Sequence, residues 1–361
     1  MTSKIPSMHP PESSTDKKAS RQRSPVAEAV SLTKMTVRAG SDMRHVLNTL
    51  LSLKPQAIEK LTPAEARQEP TVTDAMIKYL EGKGRETSPE KRVPGVSARD
   101  IVVDCATSSL PATVYTPEGQ GPFPLIVYYH GGGFVIADRK VYDGGARGLA
   151  SQARAVVISA DYRQAPEHKF PAAHDDAWAV YEWAATHGAA LGGDPRRIAL
   201  AGESAGGNLA LATALAAAKV GLSVPRHVLA VYPVTQPDIH THSYDKYADA
   251  KPLNRPMMQW FVGHYISSPT DTRDWRLDLA HADLQGLPPV TLINAEIDPL
   301  LDDGAMMEQA LREAGVPVER RVYKGVAHEF FGAAVVIRKA AEAQAYAAQR
   351  LNADLRDSRF H

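Results

Sequence analysis

The stretch Arg197-Ile198-Ala199-Leu200-Ala201-Gly202-Glu203-Ser204-Ala205-Gly206-Gly207-Asn208 decides the architecture of this chain. It reads as a short apolar strand, a turn hemmed in by glycines, and the start of an Ala/Leu-rich helix running to about Lys219. Ser204 sits in the middle of Gly202-x-Ser204-x-Gly206, the spacing of a strained strand-to-helix turn that lifts a serine hydroxyl clear of a sheet. Glycines suit such a turn because side chains there collide with neighbouring elements. The helix start also aims free backbone N–H groups at any anion formed beside the serine. Alone, the pattern more often marks an ordinary Gly-rich strand-to-helix connection, so the remaining chain has to decide.

On either side of this turn, apolar runs alternate with helical patterns. Leu125-Ile126-Val127-Tyr128-Tyr129 is continuously apolar, as in a strand buried on both faces. Ala155 to Ala160 is the next such run, followed by a helix around Asp175 to Thr186. Downstream lie Val228 to Tyr232, Val290 to Asn294 and Val318 to Tyr323. Ahead of them, Ile101-Val102-Val103 and Ala112-Thr113-Val114-Tyr115 flank a short polar link and read as an antiparallel pair. The alternation predicts an α/β architecture: a mostly parallel sheet of about eight strands with helices on both faces.

The chain of 361 residues has room for one large α/β domain and a smaller attachment. Lys+Arg and Asp+Glu both number 41, so no basic face is implied and nucleic acid is not an expected partner. Cys105 is the only cysteine, which excludes an internal disulfide and a thiolate metal cluster. No apolar run is long enough to cross a bilayer, and no apolar h-region follows the N-terminal lysines. A soluble cytoplasmic protein with no membrane partner is the expectation.

Residues 1–24 are rich in Ser, Pro, Lys and Arg and read as a flexible tail. Beyond them the pattern turns helical, with Met43, Val46, Leu47, Leu50, Leu51 and Leu53 at three- and four-residue spacings. Thr62-Pro63-Ala64-Glu65 looks like a helix start, with Thr62 as cap and Pro63 at the first position. The segment 236–268 interrupts the strand-helix alternation. It holds Pro237, Pro252, Pro256 and the apolar Met257 to Val262, and is too long for a plain loop. With the N-terminal helices it reads as a lid over the strand ends.

Ser204 needs a base, an orienting acid and an oxyanion hole. His130-Gly131-Gly132-Gly133 follows the strand ending at Tyr129, and its glycines leave backbone N–H groups unshielded. A plain turn or a phosphate cradle is the alternative, although no G-x-G-x-x-G or P-loop lysine pattern accompanies it. Asp298 lies just past a strand, where open α/β sheets build their sites. Glu296, Asp302 and Asp303 are its rivals. His328 follows the last strand, and Ser, acid, His is the order that α/β hydrolases use; His168, His174, His264 and His281 do not follow a final strand. His240-Thr241-His242 hints at a metal but lacks a third ligand at useful spacing, so no metal is expected.

Together these motifs resemble the hormone-sensitive-lipase-like branch of the α/β hydrolases, the bacterial carboxylesterases called family IV. The likeness runs from roughly Val102 to Phe331. It covers His130 to Gly133, Asp161-Tyr162-Arg163-Gln164-Ala165-Pro166-Glu167-His168 with Phe170 to Ala173, the Ser204 turn, Leu287-Pro288-Pro289, Asp298-Pro299-Leu300-x-Asp302, and His328-x-Phe330.

The resemblance implies an α/β hydrolase fold with a helical cap. Residues 25–95 and 236–268 would form that cap, and residues 96–235 and 269–361 the catalytic domain. It further implies a serine carboxylesterase for short- to medium-chain acyl esters, with Ser204 as nucleophile, His328 as general base and acid, and Asp298 as orienting carboxylate. The oxyanion donors would be the N–H groups of Gly132, Gly133 and Ala205, and no cofactor is needed. A small-molecule ester would be the partner. The Asp161 to Ala173 segment and His130 would be architectural. A homodimer paired through Val318 to Tyr323 is also implied, a question that the charge alternation of that strand leaves open.

Met43, Leu47, Met257, Trp260 and Phe261 are candidates either to line the substrate pocket or to pack the cap onto the core. Two positions depart from the family pattern. Glu203 stands where Asp usually precedes the nucleophile, and Glu329 where Gly usually follows the histidine. An amidase or deacetylase with the same triad is the rival reading. A non-catalytic small-ligand receptor is another: plant gibberellin receptors resemble this fold but lack the histidine that is present here as His328.

Overall fold

The computed structural model describes residues 38–105, 108–221 and 224–356, so the expected tail lies outside the described residues. Eight strands run β1 (Val96–Asp104), β2 (Ser109–Pro117), β3 (Phe123–Tyr129), β4 (Val156–Ala160), β5 (Gly193–Glu203), β6 (His227–Val231), β7 (Val290–Ile297) and β8 (Val318–Ala327). They form one sheet in the order β1-β2-β4-β3-β5-β6-β7-β8. β1 pairs antiparallel with β2, and β2 with β4; from β4 to β8 every pairing is parallel. The sheet is therefore the expected mostly parallel, eight-stranded one.

Helices cover both faces: α1 (Ser41–Ser52), α2 (Val72–Glu81), α3 (Asp143–Ala153), α4 (Ala172–His187), α5 (Ala205–Val220), α6 (Arg255–Tyr265), α7 (Leu301–Glu313) and α8 (Arg338–Asp354). Because side chains alternate along a strand, β3 feeds two separate apolar layers. Leu125 and Val127 enter the layer that holds Leu209, Leu211, Met307 and Leu311. Ile126 and Tyr128 enter the layer that holds Leu149, Ala347 and Leu351. Each such fully buried aliphatic side chain contributes about 1.5–3 kcal/mol to folding.

α1 and α2 join the second layer, where Met43, Val46 and Met76 pack with Phe330 and Phe331. Two hydrogen bonds hold α1 in place: Gly40 N–H donates to the Gly325 carbonyl, and Arg338 N–H to Asp42 Oδ2, both at 2.8 Å. These helices thus brace the chain around His328. The predicted helix start at Thr62 is present, with Thr62 N–H donating to Glu65 Oε2 at 2.9 Å, but the helix covers only Pro63–Ala66. Arg67 then reaches out to the carbonyls of Val135 and Ala165 and to Glu167.

Several boundaries differ from the pattern reading; β7 and β8 run on past Asn294 and Tyr323, to Ile297 and Ala327. β1 begins at Val96 rather than Ile101, because pairing with β2 defines it while residues 97–100 stay exposed. Tyr232 falls outside β6, with φ 36°, and its hydroxyl turns to Glu203. Among the described residues, no helix is long and apolar enough to cross a membrane.

Candidate active site

Ser204, Asp298 and His328 are each the first residue after a strand, at the carboxyl ends of β5, β7 and β8. Parallel strands all point their carboxyl ends the same way, so residues far apart in the chain meet at one edge of the sheet. Ser204 has φ 58° and ψ −118°, a strained conformation for a residue with a side chain. Its own N–H is tied to the Val231 carbonyl at 2.9 Å, and α5 starts immediately after it. The flanking glycines are required by close approach: a Cβ on Gly202 would overlap the Gly206 carbonyl, and one on Gly206 would overlap that of Tyr129.

Asp298 is fully buried. Its Oδ2 accepts the Nδ1–H of His328 at 2.7 Å and its Oδ1 accepts the Leu300 N–H at 2.9 Å. That tautomer leaves Nε2 of His328 as an acceptor. The rival carboxylates are occupied elsewhere. Glu296 accepts from Gly325 N–H, Asp302 from Ser243 N–H, and buried Asp303 from Thr235 N–H and the Gln236 amide. Burial pulls the His328 pKa down, but the charge and hydrogen bond of Asp298, with Glu329 and Glu203 behind it, outweigh burial and hold it above its ordinary value.

The loop after β3 supplies a second group of donors. Gly132 and Gly133 have φ 103° and 60°. Among the described residues, no protein acceptor takes the N–H of Gly132, Gly133 or Ala205. The loop is held from several sides. The Gly132 carbonyl accepts from Val135 and Ile136, and Arg67 Nε–H donates to the Val135 carbonyl at 2.9 Å. Phe261 of α6 lies so close to Gly133 that a Cβ there would overlap its ring. His130 is fully buried, hydrogen-bonded at Nδ1 to the Gly131 carbonyl at 2.7 Å, and stacked on Tyr162 at 4.3 Å between centroids. Asp161 pairs with Arg139, and Arg163 with buried Asp176. These contacts hold the loop and reach none of the three strand-end residues.

Ser204 and His328 line one cavity of ≈ 80 Å³, walled by Val234, Leu253, Met257, Met258 and Phe261. A second cavity of ≈ 170 Å³, between α1, α2 and the 251–257 stretch, shares Ile136, Pro252, Met257 and Glu329 with the first. Of the five apolar candidates, Met257 and Phe261 line the first cavity and Leu47 the second. Met43, on α1, is fully buried, and Trp260 turns away, its Nε1–H donating to the Leu61 carbonyl at 3.1 Å.

Several contributors carry no sequence signal because their partners are distant in the chain. The Tyr232 ring lies 4.4 Å from that of His328. Ser243, in the 236–268 segment, donates its hydroxyl to the Pro299 carbonyl at 2.6 Å and its N–H to Asp302 at 2.7 Å, latching that segment onto the loop after Asp298. Among the described residues, no group of three or more His, Cys, Asp or Glu gathers in a form that could hold a metal, and His240 and His242 join no such group.

The family described as alpha/beta hydrolase fold matches residues 126–332. Carboxylesterase NlhH of Mycobacterium tuberculosis is 40% identical over 264 residues, 72% of this chain and 81% of that protein. Ethyl acetate hydrolase of Pseudomonas putida is 35% identical over 240 residues, 65% of this chain and 75% of that protein. Among solved structures, a thermostable esterase from Pseudomonas putida ECU1011 matches with a TM-score of 0.78 at 28% identity, covering 89% of this chain and 99% of that one.

Proposed function

The chain belongs to the α/β hydrolase family, and within its hormone-sensitive-lipase-like branch it is a carboxylic ester hydrolase; we propose that it cleaves short- to medium-chain acyl esters with Ser204, His328 and Asp298 through an acyl-enzyme. The observation that carries this reading is the 2.7 Å contact of His328 with buried Asp298, made beside a cavity that Ser204 and His328 share. His328 Nε2 takes the Ser204 proton as the oxygen attacks the ester carbonyl. The resulting oxyanion is stabilised by the free N–H groups of Gly132, Gly133 and Ala205, the last at the start of α5. His328 then protonates the leaving alcohol, and water repeats the cycle to release the acid. Asp298 holds the imidazole in the required tautomer and stabilises its charged form.

The small apolar cavity supports short acyl groups, and the similar ethyl acetate hydrolase points the same way. In this reading the helices before β1 and the 236–268 segment act together as a cap, seated on the oxyanion loop through Phe261. Two copies pair along β8, the last strand of the sheet. The test is initial rates on p-nitrophenyl esters from acetate to palmitate, with wild type and Ser204→Ala side by side. Ser204→Ala should lose about 10⁴-fold or more in kcat. A variant as active as wild type would remove Ser204 from the mechanism.

A further inference from the structure

The two departures from the family pattern, Glu203 and Glu329, lie far apart in sequence, yet the fold brings them to one place. Glu203 is buried beneath the serine turn, and its two carboxyl oxygens accept the hydroxyls of Tyr128 and Tyr232. Gly145 provides the room: a Cβ there would overlap both Glu203 Oε1 and the Tyr128 hydroxyl. Glu329 is half-buried, and its Oε1 accepts the Tyr142 hydroxyl at 3.3 Å. Both residues line a cavity of ≈ 20 Å³, bounded by Val72 and Met76 of α2 and by Ala333. That volume accommodates a single water, and the two acids and Tyr142 supply its polar partners. The Tyr232 ring, hydrogen-bonded to Glu203, packs directly against His328.

Resting on the serine-esterase reading above, we propose that Glu203 and Glu329 are a positioning pair for His328: two carboxyls joined through one water, holding a single shared proton, whose one negative charge supports the charged imidazole in addition to Asp298. Two carboxyls on one small cavity, one of them buried, cannot both ionise cheaply, so they titrate as a unit. The surroundings agree. Burial pushes Glu203 up to about 7; the Tyr128 and Tyr232 hydroxyls oppose that, while Glu329 adds to it. Burial also raises Glu329, against the pull of His328 and Tyr142, with Asp298 adding to the rise. On its other side Glu329 shares the larger cavity with Glu59, Arg67, Glu69 and Lys251. Both glutamates in turn raise His328.

The test is an NMR titration of the His328 imidazole in resting protein, comparing wild type, Glu203→Gln, Glu329→Gln and the double variant. With a shared proton, removing either acid leaves the other free to ionise, so each single variant keeps the charge. Each should lower the His328 midpoint by only a few tenths of a unit, and the double variant by about one unit. Single shifts that add up to the double, or a double variant that shifts nothing, overturn the pairing. The acid limb of kcat/KM should follow the same pattern, moving to lower pH in the double variant because neutral imidazole is the working form. If Glu203→Gln does not fold, Glu329→Gln still decides: an infrared difference spectrum against wild type near neutral pH should lose one protonated-carboxyl stretch, and a retained stretch overturns the proposal. The titration and the spectrum need no turnover, so a protein that hydrolyses no ester counts against the esterase reading and leaves the pairing to be judged separately.

Discussion

Replacing Asp298 by Asn separates charge from shape. The amide oxygen can still accept the Leu300 N–H that Asp298 Oδ1 now takes at 2.9 Å. What disappears is the carboxylate lying 2.7 Å from His328 Nδ1. Two unit charges about 4 Å apart at an effective dielectric of about 20 interact by about 4 kcal/mol. At about 1.4 kcal/mol per tenfold, that is roughly three powers of ten in the stability of the imidazolium formed during attack. If the amide presents its NH₂ to Nδ1, the ring proton moves to Nε2, the nitrogen that must accept from Ser204, and the total loss in kcat approaches about 10⁴-fold. The pH dependence shifts as well. Asp298 is what raises His328 against burial, so its loss lowers the imidazole pKa and the acid limb of kcat/KM moves to lower pH. The assay is kcat/KM on p-nitrophenyl butyrate across neutral pH, with Asp302→Asn and Glu296→Gln as controls. Asp302 holds Ser243 and Glu296 holds Gly325, so neither control should lose more than about tenfold. Asp298→Asn within tenfold of wild type, or Asp302→Asn as damaged as Asp298→Asn is expected to be, would refute the assignment.

Gly133→Ala should lower kcat by about 10²-fold or more while moving KM less, because the new Cβ strikes Phe261 and the backbone at φ 60° shifts the oxyanion donor proposed at Gly133. Adding Phe261→Ala should return part of that loss, and Gly133→Ala with wild-type kcat would exclude the loop as the oxyanion site. Phe261→Ala alone enlarges the ≈ 80 Å³ cavity, so the ratio of octanoate to acetate turnover should rise; an unchanged ratio places the acyl chain elsewhere. Burial raises Asp303 to about 8, although the Thr235 N–H and Gln236 amide favour its charged form. The folded state therefore keeps a proton that the unfolded chain releases above about pH 4, so this group makes stability fall as pH rises from about 4 to about 8. Asp303→Asn should remove that slope and gain stability at the alkaline end, read as urea unfolding free energy against pH; a parallel slope in the variant would show that Asp303 ionises freely.

Much of this protein is legible along the chain because it is written by neighbours in sequence. The continuous apolar run at Leu125 to Tyr129 marks a strand covered on both faces, and the sheet built from it is parallel there. The glycines around Ser204 announce a turn too tight for side chains, and the structure shows the carbonyls that forbid them. The succession of apolar runs along the chain points to Ser204, Asp298 and His328 as residues beyond strands, although β7 and β8 extend past the runs, to Ile297 and Ala327. Choosing Asp298 over Glu296, Asp302 and Asp303 is different. Four carboxylates lie within eight residues, and only the pairing of β7 with β8 decides which one meets His328. The apolar candidates sorted themselves likewise: Met43 and Met257 are alike in chemistry, yet one is core and the other lines the site, because helix orientation and the segments packed beneath it set where each side chain goes. Glu203 and Glu329 stood out in the sequence as separate departures. Their shared cavity exists only because β5, the loop after β8 and α2 converge there, and contacts between groups more than a hundred residues apart are created by packing, which no local pattern encodes.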